Sequence, residues 1–231
     1  TFNQGKDHYN FTYKRQNMYS MQSVRKNGMA PWRQLKGKNK PFFGQIMLMG
    51  GKEVFRGMKQ LEAAGHLSLE AAAKTLPPYY PKDEVILKHW ALHYDSIKMT
   101  DRKVGQLMAN LKADGLLKNT VVILFSDHGN YLPRHKQFCY EGSLHVPLII
   151  SAPKAFEKQV DGTRRADLVS GIDISATSLA YAGITIPQWY DGKDVFAKGF
   201  KHDFLVSARD RMDFTIDRIR TIRTPKGMKY I

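Results

Sequence analysis

The chain has one cysteine, Cys139, in 231 residues. An internal disulfide framework is therefore excluded. No run approaches the ~18 consecutive apolar residues of a membrane-spanning helix, so no membrane span is expected. No signal peptide opens the sequence, an absence that bears on secretion only if Thr1 is the natural start. Acids are scarce: 21 Asp and Glu stand against 36 Lys and Arg, a net charge of +15. Such a surplus attracts polyanions at long range, whether nucleic acid, anionic membrane or sulfated glycan, or else marks a basic surface with no partner. Metal-finger spacing, an aromatic RNP run and a basic heptad region are all missing, so nucleic acid is not an expected partner. Internal repeats and low-complexity tracts are missing too. What is present suits a globular core, with 42% hydrophobic and 11% aromatic residues. Cys139, set between Phe138 and Tyr140, reads as a packing residue rather than a nucleophile. Asn10-Phe11-Thr12 has the form of a glycosylation sequon, a weak match that matters only in a eukaryotic secretory context.

The richest segment is Thr120-Val121-Val122-Ile123-Leu124-Phe125-Ser126, which ends on Asp127-His128-Gly129. An apolar, β-branched run without polar interruption predicts a strand buried on both faces, as in the middle of a parallel α/β sheet. Ligands of such sheets sit beyond the carboxyl ends of the strands. A carboxylate beside an imidazole there suits a divalent cation, and Gly129 permits a sharp turn with its backbone close to a neighbour. A simple turn followed by a helix cap is the alternative from spacing alone. Lys136, Tyr140-Glu141-Gly142 and a second apolar run from His145 to Pro153 follow.

Elsewhere the pattern alternates between strands and helices. Residues 1–40 read as loops and short elements, and Pro41–Met49 as a strand ending at Gly50-Gly51. Residues 52–74 have helical composition, and the prolines at 77, 78 and 81 exclude a helix interior. Asp83 is placed to cap a helix running from Val85 to about Leu111, with Gly115 ending it. A helix capped near Asp173 runs to Gly183, 187–203 is loop with a turn at Asp191-Gly192, and 204–207 and 218–223 read as strands. A helix leading through a tight turn into Thr120–Ser126 is the connection that α/β folds require.

The run SDHGNYLPRHKQFCYEGSLHVPLIISAP at 126–153 resembles the sulfatase signature of the alkaline-phosphatase-like superfamily. Further blocks keep the family's order: GKDHYNF at 5–11, KPFFGQIML at 40–48, LPPYYP at 76–81, the long helix and its turn at 90–120, DLVSGIDISATSLAYAGI at 167–184 and RIRTIRTPKGMKYI at 218–231. The tone of 76–153 is nearest the bacterial heparan-sulfatase-like branch. The resemblance implies an α/β sandwich with a central, mostly parallel or mixed sheet flanked by helices and incomplete at both ends. Residues 1–200 would be the middle and C-terminal part of the catalytic domain, and 201–231 the start of a smaller subdomain.

The resemblance also assigns roles. Asp127 and His128 match a metal-binding pair and imply calcium, although imidazole is an atypical calcium ligand. His128 is equally open to a role as hydrogen-bond donor to sulfate. Lys136 matches a lysine holding a sulfate oxygen, where a cation offsets charge on the transferring group; a solvated surface lysine is the bland alternative. Lys6 and His8 match a Gly-Lys-x-His motif, the lysine on sulfate and the histidine as orienting group or acid. Lys52 stands where many sulfatases carry a histidine that protonates the leaving group, and serves either as a sulfate-binding cation or as an acid. Arg209, Arg211 and Asp213 either read the substrate or form a salt-bridged loop. Glu141 and His145 read as structural.

The family's Cys-x-Pro/Ala-x-Arg motif, whose cysteine becomes formylglycine, does not occur here, and neither does the aspartate pair that completes its metal site. Both are expected upstream, so the sequence is expected to be partial and inactive by itself. The implied function is hydrolysis of a sulfate ester or sulfamate of a sulfated carbohydrate or aryl alcohol, in a periplasmic, extracellular or lysosomal setting. The implied partners are a sulfated small molecule or glycan and the remainder of the catalytic domain. The rival readings are a phosphodiesterase or phosphonate monoester hydrolase of the same superfamily, and a non-catalytic polyanion-binding remnant.

Overall fold

A computed structural model describes residues 1–6, 9–21, 29–35, 40–55, 66–154, 164–212 and 215–231. The protein divides into two compact units, Thr1–Leu116 and Leu117–Ile231. Among the described residues no helix is long and apolar enough to cross a membrane.

The first unit opens with β1 (Phe2–Gln4), in a stretch read as loops and short elements, paired in parallel with β2 (Gly44–Ile46). The pairing is anchored by Phe2, which is fully buried and stacks on Phe42; Phe42 in turn stacks on Trp32. Gly44 is required beneath that ring, because a Cβ there would lie 2.1 Å from Phe2 Cζ. The strand expected over Pro41–Met49 is thus only three residues long. A single turn, α1 (Arg15–Met18), and a 3₁₀ turn at Pro31–Gln34 fill the intervening chain. Past β2 the chain forms a 3₁₀ segment at Gly50–Phe55, and the helical composition of 52–74 is realised as α2 (Leu69–Thr75). The Leu61–Ala64 part of that expectation lies outside the described residues.

Helix α3 (Glu84–Ala113) matches its sequence signals. Asp83 caps it by accepting a 2.8 Å hydrogen bond from Val85 N, and Gly115 ends it at φ +71°. Trp90 on α3 donates to Thr75 Oγ1 at 3.1 Å, tying the helix to the end of α2. At the other end Asp114 accepts from Trp32 Nε1 and takes both Nε and Nη2 of Arg33, a fork that keeps its carboxyl ionised below the usual range.

The second unit contains β3 (Val122–Phe125), α4 (Glu141–Leu144), β4 (Leu148–Ser151), α5 (Gly171–Tyr181) and a three-stranded antiparallel sheet, β5 (Leu205–Met212), β6 (Thr215–Arg223) and β7 (Lys229–Tyr230). Strand β3 corrects the expectation of a parallel strand buried on both faces. It pairs antiparallel with β4, in register Val122↔Ser151 through Phe125↔Leu148, and its Phe125 is 49% exposed. Unbroken apolarity reports a demand for burial; strand direction is set by the connection, and residues 126–147 return the chain to the edge it left.

Helix α5 is capped three residues earlier than the expected cap near Asp173. Ser170 is the N-cap and Asp173 is the N3 partner of a capping box. Asp173 is fully buried and accepts from Ser170 N at 2.7 Å, Lys193 N at 2.8 Å and His202 Nε2 at 2.8 Å. One carboxylate therefore fixes a helix start and two points of the 187–203 loop. Replacement Asp173→Ala strips three partly buried donors of their fully buried acceptor and is expected to destabilise the second unit by roughly 2–4 kcal/mol. Thermal melting checks this, and a loss confined to a few tenths of a degree would contradict it.

Candidate functional site

Asp127 and His128 stand at the carboxyl end of β3, as the spacing predicts. The Asp127 side chain is 83% exposed and that of His128 22%. Gly129 O accepts a 2.6 Å hydrogen bond from His128 Nδ1, which places the lone pair of the neutral ring on Nε2, 3.6 Å from Asp127 Oδ2. Ser126 Oγ donates to His128 O at 2.7 Å and braces the turn. These two residues suit a hard cation only in part. Calcium takes about six to eight oxygen donors; here there is one carboxylate and one imidazole. Among the described residues no group of three or more His, Cys, Asp or Glu could hold a metal.

Gly129 governs where that pair sits. Its N–H donates to Ser143 O at 3.0 Å, and a Cβ on it would lie 1.8 Å from Gly142 O. The loop between them is wound tightly. Leu132 N donates to Asn130 Oδ1 at 2.8 Å, and Lys136 N donates to Asn130 O at 2.9 Å, so the backbone of Lys136 is pinned to the start of the loop. Arg134 and Gln137, at φ +66° and +77°, are non-glycine residues in the left-handed region, at a cost of roughly 1–2 kcal/mol each. Strain on both sides of Lys136 is the pattern of a segment held in place by its surroundings. His135 is buried against Gly142, and burial pushes its imidazole below the ordinary histidine value of 6.5. Cys139 is buried, in keeping with a packing role.

Glu141 starts α4 and receives Lys229 Nζ at 3.0 Å and Arg223 Nη2 at 3.7 Å. Burial pushes its carboxyl up, but the hydrogen bond and charge of Lys229, with Arg223 beside it, outweigh that and hold it below the usual range. His145 closes the turn, its N–H donating to Glu141 O. The partner of Glu141, 88 residues away, has no local sequence signal.

The remaining candidates are distributed. Lys6 is exposed two residues beyond β1, and Lys52 is half-buried in the 3₁₀ segment beyond β2. Both therefore follow the carboxyl ends of one parallel strand pair in the first unit, whereas Asp127, His128 and Lys136 belong to the second. Asn3 Nδ2 donates to Lys6 O at 3.0 Å, and Gly5 passes so close to Met47 that a Cβ would lie 2.5 Å from it. Lys52 N donates to Met49 O. His8 and Asp213 lie outside the described residues. Arg209 is 11% exposed, with Nη1 2.9 Å from Asp217 Oδ2 and its guanidinium carbon 4.9 Å from the Phe138 ring centre. Arg211, across a register shift from Arg209, is exposed opposite Ile216.

The second unit is mixed α/β, and its apolar strand ends on a turn bearing a carboxylate and an imidazole, with the backbone of Lys136 tethered in the loop beyond. Comparison with known proteins places the chain in a family. The family model for sulfatases matches residues 2–184, and the chain belongs to the sulfatase family. The "Ulvan-active sulfatase" of Formosa agariphila is 30% identical over 184 residues, covering 79% of this chain and 30% of that protein. Human "Arylsulfatase K" is 38% identical over 108 residues, or 44% of this chain and 19% of that protein. A solved Bacteroides thetaiotaomicron structure, titled for the metabolism of multiple glycosaminoglycans, superimposes with a TM-score of 0.68 at 21% identity, over 85% of this chain and 45% of that one. A sulfatase candidate from Bacteroides fragilis follows at TM-score 0.57 and 23% identity, over 79% of this chain and 42% of that one. The fold is thus that of the alkaline-phosphatase-like sulfatases. The chain spans less than a third of the length of the curated relatives it matches.

Replacement Gly129→Ala forces the turn away from Gly142 and is expected to destabilise the second unit by roughly 1–3 kcal/mol, read by thermal melting; an unchanged midpoint would contradict it. The depressed histidine adds a pH dependence. Because folded His135 resists protonation, its contribution to stability is complete above its unfolded value near 6.5. That contribution shrinks as pH falls through this value toward the lower folded one. Melting between pH 7.5 and 5 is expected to show the decline, and His135→Gln to flatten it.

Proposed function

We propose that the complete protein is a sulfatase that hydrolyses a sulfate ester, or a sulfamate, of a sulfated carbohydrate or aryl alcohol. The observation that carries this reading is the coincidence of the family match over 2–184 with a tightly wound loop that tethers Lys136 beyond the Asp127-His128 turn. In this reading Lys136 and Lys6 bind sulfate oxygens and offset the charge that builds on the sulfuryl group. Lys52 takes a third oxygen or delivers a proton to the leaving oxygen. His8, by its Gly-Lys-x-His motif, orients or protonates at the same centre.

Asp127 supplies a carboxylate oxygen and His128 an imidazole nitrogen to a divalent cation site, of the calcium type, whose other ligands lie elsewhere in the complete protein. A formylglycine, also elsewhere, supplies the nucleophile. Residues 1–200 are assigned to the catalytic domain and 201–231 to the start of its smaller subdomain. The surplus of 36 cations over 21 acids favours a polyanionic substrate over a neutral one. The similarity to an ulvan-active sulfatase and an arylsulfatase supports a sulfated glycan or aryl sulfate.

The test is turnover of paired aryl sulfate and aryl phosphate esters by the complete protein. Sulfate is expected to be the better substrate, and Lys136→Ala to reduce kcat/KM by about 100-fold or more, the scale of losing one preorganised charge contact. Faster hydrolysis of the phosphate ester would instead indicate a phosphodiesterase or phosphonate monoester hydrolase. Heparin binding without hydrolysis of either ester would indicate a polyanion-binding protein.

A further inference from the structure

Each strand of the β5–β7 sheet sends one cation to the loop that carries Lys136. From β5, the Arg209 guanidinium lies over the Phe138 ring at 4.9 Å. From β6, Arg223 approaches Glu141 Oε2 at 3.7 Å; from β7, Lys229 reaches Glu141 Oε1 at 3.0 Å, with its side chain only 10% exposed. Phe138 stacks on Tyr140 at 5.9 Å, and Arg134 covers the Tyr140 ring at 4.6 Å, so a grip on Phe138 passes to the rest of the loop. Only Gln137 separates Phe138 from Lys136.

We propose that the β5–β7 sheet is a clamp that fixes Lys136, and that Arg209 is its positioning residue rather than a reader of substrate. The proposal rests on the reading of Lys136 as a sulfate-binding cation. Arg209 is poorly placed to grip a ligand: it is largely buried and its flat face is taken by Phe138, while Nη1 forms an ion pair with Asp217 at 2.9 Å although neither Nε nor Nη1 makes a hydrogen bond. A buried cation is tolerated when a counter-ion and an aromatic face replace its water, and both are present. The planar guanidinium is what satisfies the two at once. A lysine has one point charge and no face to stack, so Arg209→Lys keeps the charge and loses the grip. The register shift between Arg209 and Arg211 re-aims side chains at this point of β5, a usual consequence of an irregularity near a site. Glu141 is the second anchor, and Glu141→Gln keeps its shape while weakening both ion pairs.

The experiment is hydrogen exchange on the complete protein, wild type against Arg209→Lys and Glu141→Gln, joined to steady-state kinetics on an aryl sulfate. Amides of 130–140 are expected to exchange about tenfold faster in each variant, with those of α3 unchanged. Lowered kcat with little change in KM is expected alongside, because a loosened Lys136 is misplaced in the transition state. Unchanged exchange in both variants would overturn the clamp. Unchanged loop exchange with a raised KM in Arg209→Lys alone would also overturn it and return Arg209 to the substrate. The exchange arm needs no turnover: if the wild type hydrolyses no sulfate ester while loop exchange still rises, the functional reading fails and the mechanical coupling stands.

Discussion

The second unit depends on one glycine, Gly129, that lets one backbone touch another, and on Gly142, whose bare Cα makes room for the His135 ring. Gly129, at the end of the apolar strand, and Gly142, at the start of the return strand's approach, come close enough that no side chain fits between them. The Gly129 N–H donation to Ser143 O seals the contact. Everything of chemical interest here hangs on that closure: Asp127 and His128 precede it by one or two residues, and Lys136 lies in the loop it closes. The same contact buries His135, which makes the loop's integrity sensitive to acid. A site built this way is organised by backbone geometry before any ligand arrives, and such preorganisation is what charge stabilisation in a transition state requires.

Local signals in the sequence found local structure well. Asp83 and Gly115 bracket α3 because caps and left-handed terminators act within a few residues of themselves. Strand β3 was legible from its apolar run, but its antiparallel pairing was not, since apolarity states how much must be buried and not against what. The three-residue strand β1 was not singled out within a stretch read as loops and short elements. Its pairing depends on Phe2 meeting the glycine at 44, a contact set by packing across some forty residues. Asp173 was placed at the start of α5, yet its reach to Lys193 and His202 had no signal within its own helix.

The candidate site divides the same way. Asp127, His128, Lys136 and Lys6 could be nominated from the sequence because they sit in short ordered motifs that resemble a family. Arg209 was read as either a substrate contact or part of a salt-bridged loop, and the structure gives it an acid partner, Asp217, and an aromatic one, Phe138. Charge alone could not separate those roles. What separates them is burial, which a cation accepts only where water has been replaced by compensating groups. The net positive charge is therefore not a uniform property of the chain. Arg223 and Lys229 are paired with Glu141, and Arg209 with Asp217.

Lys6 and Lys52 follow the carboxyl ends of one strand pair in the first unit, and Lys136 follows that of a strand in the second. The central claim is that Lys136 holds a sulfuryl group beyond the Asp127-His128 turn. A crystal structure of the complete protein with bound sulfate measures this directly. The expected result is a sulfate with the Lys136 Nζ within about 4 Å of one of its oxygens, the ordinary ion-pair range. A sulfate bound elsewhere, with Lys136 turned to solvent, would contradict it.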